Sequence, residues 1–136
     1  MKKIKVLAKK EKLDEVLGFC HEILEKNGCD KKTILSIDLV IEEIFVNIAS
    51  YAYGEKEEEV DIMCDVTENP KTFVMEFIDG GVEFDPLKKK DPNLGLKADE
   101  RKIGGLGIFL SKKLTDKIEY FRKNGENHLA FQKKIN

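Results

Sequence analysis

Two polar residues in the segment 41–53 (IEEIFVNIASYAY) have types and a spacing that suit chemistry. If the segment is helical, Glu43 and Asn47 lie one turn apart on the same face. A carboxylate and an amide placed in this way can hold a divalent cation and activate a hydroxyl group. The same spacing is common on solvated helix faces, so the pair needs support from elsewhere in the chain.

A second cluster follows the segment 72–79 (TFVMEFID), whose pattern predicts a strand ending on Asp79. Gly80 and Gly81 come next. Glycine tolerates positive φ and lets a flat ligand approach the backbone closely. A carboxylate at such a strand end can accept a hydrogen bond from the exocyclic amine of adenine. Taken alone, the cluster is more typical of an ordinary Asp-Gly turn.

The third cluster is Gly104, Gly105, Leu106 and Gly107, at the start of a predicted helix. Backbone N–H groups and the helix dipole at such a position favour phosphate binding. The cluster is neither a Walker A loop nor a dinucleotide-binding turn. Taken alone, it could equally be a flexible hinge before the helix.

The apolar periodicity predicts the elements that position these clusters. Their predicted order is strand 2–8 (an edge strand), helix 12–27, a helix between Asp30 and Gly54, strands 60–66 and 72–79, a helix from 104, and strands 117–123 and 128–135. Residues 86–102 contain two prolines, one glycine and many charges, and a loop of this length is usually functional or mobile. The order predicts a two-layer α+β sandwich.

Composition narrows the class of protein. The 136 residues fit one domain, and 24 basic against 26 acidic side chains argue against a nucleic-acid partner. Cys20, Cys29 and Cys64 are odd in number and lack metal-ligand spacing, so we expect free thiols in a reducing compartment. The chain has no signal-peptide pattern and no apolar run of about 20 residues, so we expect a cytoplasmic protein without membrane contact.

The three clusters together are more specific than any one of them. Their order, on a helix, a strand end and a helix start with a long loop before the last, resembles the GHKL ATPase superfamily, which includes gyrase and the histidine kinases. Within it the chain most resembles the anti-sigma-factor serine/threonine kinases, over nearly its whole length. The resemblance implies a Bergerat-type ATPase fold over residues 1–136, with a mixed, mostly antiparallel sheet and three helices on one face.

The resemblance also implies roles for the first two clusters, with ATP and Mg²⁺ as cofactors. Glu43 would be the general base and Asn47 the magnesium ligand, while Tyr51 stands where many members have histidine. Asp79 and Gly81 match the first glycine box, in which Asp79 would take the adenine amine. Glu83 replaces the second glycine of that box.

For the rest of the chain, the resemblance implies an ATP lid at about 86–103 and a second glycine box whose backbone contacts phosphates, matched by Gly104, Gly105, Leu106 and Gly107. The family often has a threonine near the adenine in its last strand. Here Asn127 or Ala130 lies in that region, and the sequence leaves the register open.

The function implied is that of a protein kinase that binds a sigma factor and phosphorylates a STAS-type anti-anti-sigma partner; a homodimer is also implied. A non-catalytic, ATP-gated binding module is the alternative. A histidine kinase fragment is disfavoured, because only about forty residues precede Glu43 and His21 is the only histidine among them. The sequence does not identify the partners.

Overall fold

The computed structural model describes residues 1–54, 56–88 and 105–135, with only the backbone of residues 105 and 106. In this part of the chain, five strands form one sheet and three helices pack against one of its faces. The elements are β1 (Lys2–Leu7), α1 (Leu13–Lys26), α2 (Lys31–Tyr51), β2 (Glu59–Thr67), β3 (Thr72–Asp79), α3 (Gly105–Leu114), β4 (Lys117–Lys123) and β5 (Glu126–Lys134). The predicted two-layer α+β fold is confirmed.

The strands lie in the order β1-β2-β3-β5-β4, and every described pairing is antiparallel rather than mixed. β1 is an edge strand, as predicted. Asn124 and Gly125 join β4 to β5 with φ of 53° and 76°, as a two-residue hairpin loop requires. Because β3 and β5 are neighbours, the end of β3 and the start of β5 lie side by side.

Helix α2 begins where the sequence indicates. The carboxylate of Asp30 accepts a hydrogen bond from the backbone N–H of Thr33 at 2.8 Å, which satisfies one of the free donors of the first turn. The helix ends at Tyr51, before the predicted stop at Gly54, which has a φ of 61°. Within the described ranges, no helix combines the length and the apolar composition of a bilayer span.

The core lies between the helices and one face of the sheet. Along β3, Phe73, Met75 and Phe77 are buried at alternate positions and therefore share the helix-facing side. Asp79 is next in this series, so its side chain points toward the helices. The register pairs Asp79 with Asn127 of β5. Ala130 pairs with Glu76 and lies on the opposite face, so Asn127 is the residue beside the carboxylate.

The three cysteines are free thiols, as expected, and all three are buried. The Sγ atoms of Cys20 on α1 and Cys64 on β2 lie 3.6 Å apart. The hydrogen bond between them and burial raise the pKa of the Cys20 thiol far above its ordinary value. The Cys20 thiol therefore acts as a small core side chain rather than as a nucleophile.

The buried face of α2 generates a stability prediction. Ile41 is fully buried, so Ile41→Ala should lower the free energy of unfolding by about 2–5 kcal/mol through the cavity it leaves. Leu35 is on the same helix but 64% exposed, and Leu35→Ala should change that free energy by less than about 0.5 kcal/mol. Urea unfolding measures both values. Equal losses at the two positions would contradict this assignment of the helix faces.

Candidate functional site

A pocket opens between the C-terminal half of α2 and the adjoining ends of β3 and β5. It encloses about 430 Å³, including its open mouth, and its walls are mainly apolar. Polar and aromatic side chains among its lining are Asn47, Tyr51, Asp79, Phe84, Tyr120 and Asn127.

Asp79 presents a fixed carboxylate to this pocket. The residue is only 5% exposed. Its Oδ1 accepts hydrogen bonds from the backbone N–H of Gly81 and from Nδ2 of Asn127, each at 2.9 Å. Both bonds end on the same oxygen, so Oδ2 keeps its capacity to accept from a donor in the pocket.

The turn after Asp79 packs directly on the end of α2. A Cβ atom added at Gly81 would lie 2.7 Å from the Cα of Ala52, closer than packed atoms approach. The backbone N–H of Val82 donates to the carbonyl of Ala52 at 2.9 Å. Glycine is therefore required at position 81 by the close approach of two backbones.

Tyr53 fixes the same turn from its other side, a role that spacing in the sequence does not indicate. Its hydroxyl accepts from the backbone N–H of Gly80 at 2.7 Å and donates to the carbonyl of Glu59 at 2.8 Å. Burial raises the pKa of the Tyr53 phenol, which keeps the proton that this bridge needs.

Asn127 is the centre of a hydrogen-bond network around the pocket. It is 6% exposed, and its Nδ2 donates to Asp79 and also to the carbonyl of Val82 at 2.8 Å. Its Oδ1 accepts from three donors, the hydroxyl of Tyr120 (2.6 Å), the guanidinium of Arg122 (3.1 Å) and the backbone N–H of Phe84 (3.4 Å). Arg122 also donates to the carbonyl of Gly81 at 2.8 Å, so β4 and β5 together hold the loop after β3.

Glu43 and Asn47 belong to two adjacent parts of the site. Asn47 lines the pocket, while Glu43, one turn earlier on α2, lies in a groove between α2 and α3. The Glu43 carboxylate is packed so closely on Gly107 that an added Cβ there would overlap it.

At the pocket mouth, the rings of Tyr51 and Phe84 are 6.1 Å apart, so Tyr51 acts as part of the apolar wall.

The second glycine box is described only in part. Gly105, Leu106 and Gly107 form the first turn of α3, whose backbone N–H groups have no partners within the helix. Gly104 lies outside the described residues, and so does most of the predicted lid at 86–103. Of that segment, Pro86 is buried and lines the pocket.

Comparison with known proteins gives the family. The sequence pattern of the histidine kinase-like ATPase domain matches residues 6–133. The chain belongs to this family. A relative of the ATPase domain, the serine/threonine-protein kinase BtrW of Bordetella bronchiseptica, is 26% identical over 116 residues, which cover 85% of this chain and 81% of the kinase.

Solved structures show the same fold. The chain matches the structure of the RsbU and RsbW domains of a Mycobacterium tuberculosis protein with a TM-score of 0.69 at 13% identity, covering 99% of this chain and 33% of that one. This ATPase domain thus spans a third of that chain. The histidine kinase AdeS of Acinetobacter baumannii matches with a TM-score of 0.50 at 13% identity, over 100% of this chain and 70% of the kinase. The resemblance indicated by the motifs is confirmed.

The residues of this ATPase domain suit an adenine nucleotide with Mg²⁺. The pocket has mainly apolar walls, and both the Asp79 carboxylate and the neutral amide oxygen of Asn47 belong to its lining. The described residues bring together no group of three His, Cys, Asp or Glu side chains that could hold a metal. Mg²⁺ bound together with phosphates needs only one or two protein ligands, so a single amide oxygen is compatible with it.

The packing of Gly81 generates a prediction with a matched control. Gly81→Ala should lower the free energy of unfolding by about 1–3 kcal/mol, because the new methyl group meets backbone atoms of Ala52 that cannot rotate away. Gly18 lies within α1 with no atom within 4 Å of an added Cβ. Gly18→Ala should raise that energy by about 0.5–1 kcal/mol, since alanine favours the helix. Thermal unfolding would refute the close contact if both variants were stabilised.

Proposed function

We propose that this chain is an ATP-dependent serine/threonine protein kinase that acts as an anti-sigma factor and phosphorylates a STAS-type anti-anti-sigma partner. The observation that carries the proposal is the placement of Asn47 and Asp79 in one pocket, with Glu43 one helical turn away against the start of α3. The relative BtrW is named a serine/threonine-protein kinase. The structural match to the RsbU and RsbW domains of the Mycobacterium tuberculosis protein supports the regulatory class.

The pocket would hold the base of the nucleotide. Asp79 would accept a hydrogen bond from the exocyclic amine of adenine, and the apolar walls would cover the faces of the ring. The close contact of Gly81 with Ala52 keeps side-chain atoms out of this turn. These residues bind and orient, and they take no part in bond making.

Asn47 and the first turn of α3 would hold the phosphate end. The amide oxygen of Asn47 can ligate a cation but has no acid–base use. Backbone N–H groups at the start of α3 suit phosphate oxygens. Mg²⁺, when bound, neutralises charge on the phosphates during transfer.

Glu43 would act on the acceptor protein. Its carboxylate would take the proton of a serine or threonine hydroxyl while the hydroxyl oxygen bonds to the terminal phosphorus of ATP and the bond from that phosphorus to ADP breaks. The products are the phosphorylated partner and ADP. Packing against Gly107 holds the carboxylate at the start of α3, beside the proposed phosphate position.

A non-catalytic, ATP-gated binding module is the second candidate. The observation that favours it is the same close contact of Glu43 with Gly107, because a half-buried carboxylate can also serve to position α3. A histidine kinase fragment is less well supported. The ring of His21 is hydrogen-bonded to Asp38 at 2.6 Å between α1 and α2, and His21 does not line the pocket.

The role of Asp79 can be tested by binding alone. We expect Asp79→Asn to weaken ADP binding about tenfold or more, because the amide is a poorer acceptor than a carboxylate and introduces donors next to the adenine amine. Asp14→Asn, at an exposed position on α1, should leave the affinity unchanged. Titration calorimetry measures both dissociation constants. Undiminished binding by Asp79→Asn would remove Asp79 from its proposed role.

The role of Glu43 separates the two candidate functions. Glu43→Gln keeps the size of the side chain and removes the base, so phosphorylation of the cognate partner should fall about 10²–10⁴-fold with ADP affinity little changed. The neighbouring Glu42 is exposed, and Glu42→Gln should phosphorylate at the wild-type rate. Transfer of labelled phosphate to the STAS protein encoded nearest to this chain measures the rates. Normal transfer by Glu43→Gln would exclude Glu43 as the base, and absence of transfer by the wild-type chain to a partner that it binds would favour the binding module.

A further inference from the structure

We infer that Asn127 sets the base specificity of the pocket, by occupying one oxygen of Asp79 so that the site accepts adenine and rejects guanine. The inference rests on the proposed nucleotide site and concerns a residue that the motifs did not assign. It starts from the unequal use of the two oxygens of the Asp79 carboxylate.

Oδ1 of Asp79 has no acceptor capacity left for a ligand. It accepts two hydrogen bonds at 2.9 Å, one from the backbone of Gly81 and one from Asn127. A carboxylate oxygen has two lone pairs, so both are in use. Asp79 is 5% exposed and Asn127 is 6% exposed, so water does not compete freely for these bonds. The carboxylate therefore offers the pocket one acceptor, Oδ2.

The orientation of the Asn127 amide is determined by its neighbours. Its Oδ1 side faces only donors, the hydroxyl of Tyr120, the guanidinium of Arg122 and the N–H of Phe84. Its Nδ2 side faces two acceptors, Oδ1 of Asp79 and the carbonyl of Val82. A flipped amide would oppose like groups on both sides, so Asn127 is held as a donor toward Asp79.

One available acceptor discriminates between the purines. Adenine presents its exocyclic amine as a donor next to N1, which is an acceptor, and so needs one carboxylate oxygen. Guanine presents N1–H and the 2-amino group as adjacent donors, which pair best with both oxygens of a carboxylate. Because both lone pairs of Asp79 Oδ1 are already in use, guanine would bury one N–H donor without a hydrogen-bond partner. An unpaired buried donor lowers the binding affinity.

The wild-type chain provides the first test, with ADP, GDP and IDP measured by titration calorimetry. IDP carries hypoxanthine, which is guanine without the 2-amino group. Because the 2-amino group of guanine finds no acceptor, GDP should bind no more tightly than IDP, and ADP should bind about a hundredfold more tightly than GDP. If GDP bound about tenfold or more tightly than IDP, Oδ1 of Asp79 would be available and the inference would be wrong.

The second test frees Oδ1. Asn127→Ala removes the Nδ2 donor from Asp79 Oδ1, which can then accept from guanine. The ratio of the GDP to the ADP dissociation constant should fall about tenfold or more, and GDP should bind more tightly relative to IDP than in the wild type. Asn127→Leu removes the same donor while keeping the volume, and serves if the alanine variant does not fold. His128→Ala is the control, because His128 is the next residue on β5 but faces the other side of the sheet, where it stacks on Phe121 and bonds Glu76. It should leave the preference unchanged.

The ratio of affinities distinguishes specificity from a structural role. If Asn127 only supported the loop after β3, all three nucleotides would weaken together in Asn127→Ala and Asn127→Leu, and an unchanged ratio would overturn the inference. If the wild-type chain bound none of the three nucleotides, the proposed nucleotide-dependent function itself would be rejected, whatever the role of Asn127. Tight ADP binding with an unchanged ratio in the variants would reject the role of Asn127 alone.

Discussion

The buried carboxylate of Asp79 is the constraint on which the rest of the site depends. A carboxylate at 5% exposure is stable only where N–H donors are supplied to it. Here the donors come from the backbone of Gly81 and from the side chain of Asn127. The first requires a tight turn after β3, and the second requires β5 to lie beside β3 in the observed register. The sheet order is thus tied to the polar group at its end.

Helix α2 connects this carboxylate to the other half of the site. One face of the helix supplies core residues such as Ile41 and Phe45. The adjacent face carries Asn47 into the pocket and Glu43 against the start of α3. Since the end of the helix also meets the turn at Gly81, one helix positions both the proposed adenine-binding side and the proposed phosphate-binding side. A shift of α2 would therefore disturb both sides together.

The elements and the three motifs were predictable because they depend on local rules. Alternation of apolar residues over 60–66 indicated β2, and Asp30 marked the start of α2 by its capping chemistry. The contacts between elements were not predictable in this way. The bridge made by Tyr53, the choice of Asn127 over Ala130, and the packing of Glu43 on Gly107 all depend on how strands and helices far apart in sequence meet. Gly107 contributed to the prediction of phosphate binding, but its spacing did not indicate that the Glu43 side chain of α2 fills the space beside it.

The two close glycine contacts leave different evolutionary options open. At Gly81 the opposing atoms belong to the backbone of residue 52, which every amino acid shares, so no second substitution relieves the overlap. At Gly107 the opposing atoms belong to the side chain of Glu43, and a shorter residue at 43 would make room for a larger one at 107. Such an exchange would preserve the packing of α2 on α3 while removing the carboxylate. If position 43 changed first, the larger residue at 107 would enter space that is already open, so neither step would create an overlap.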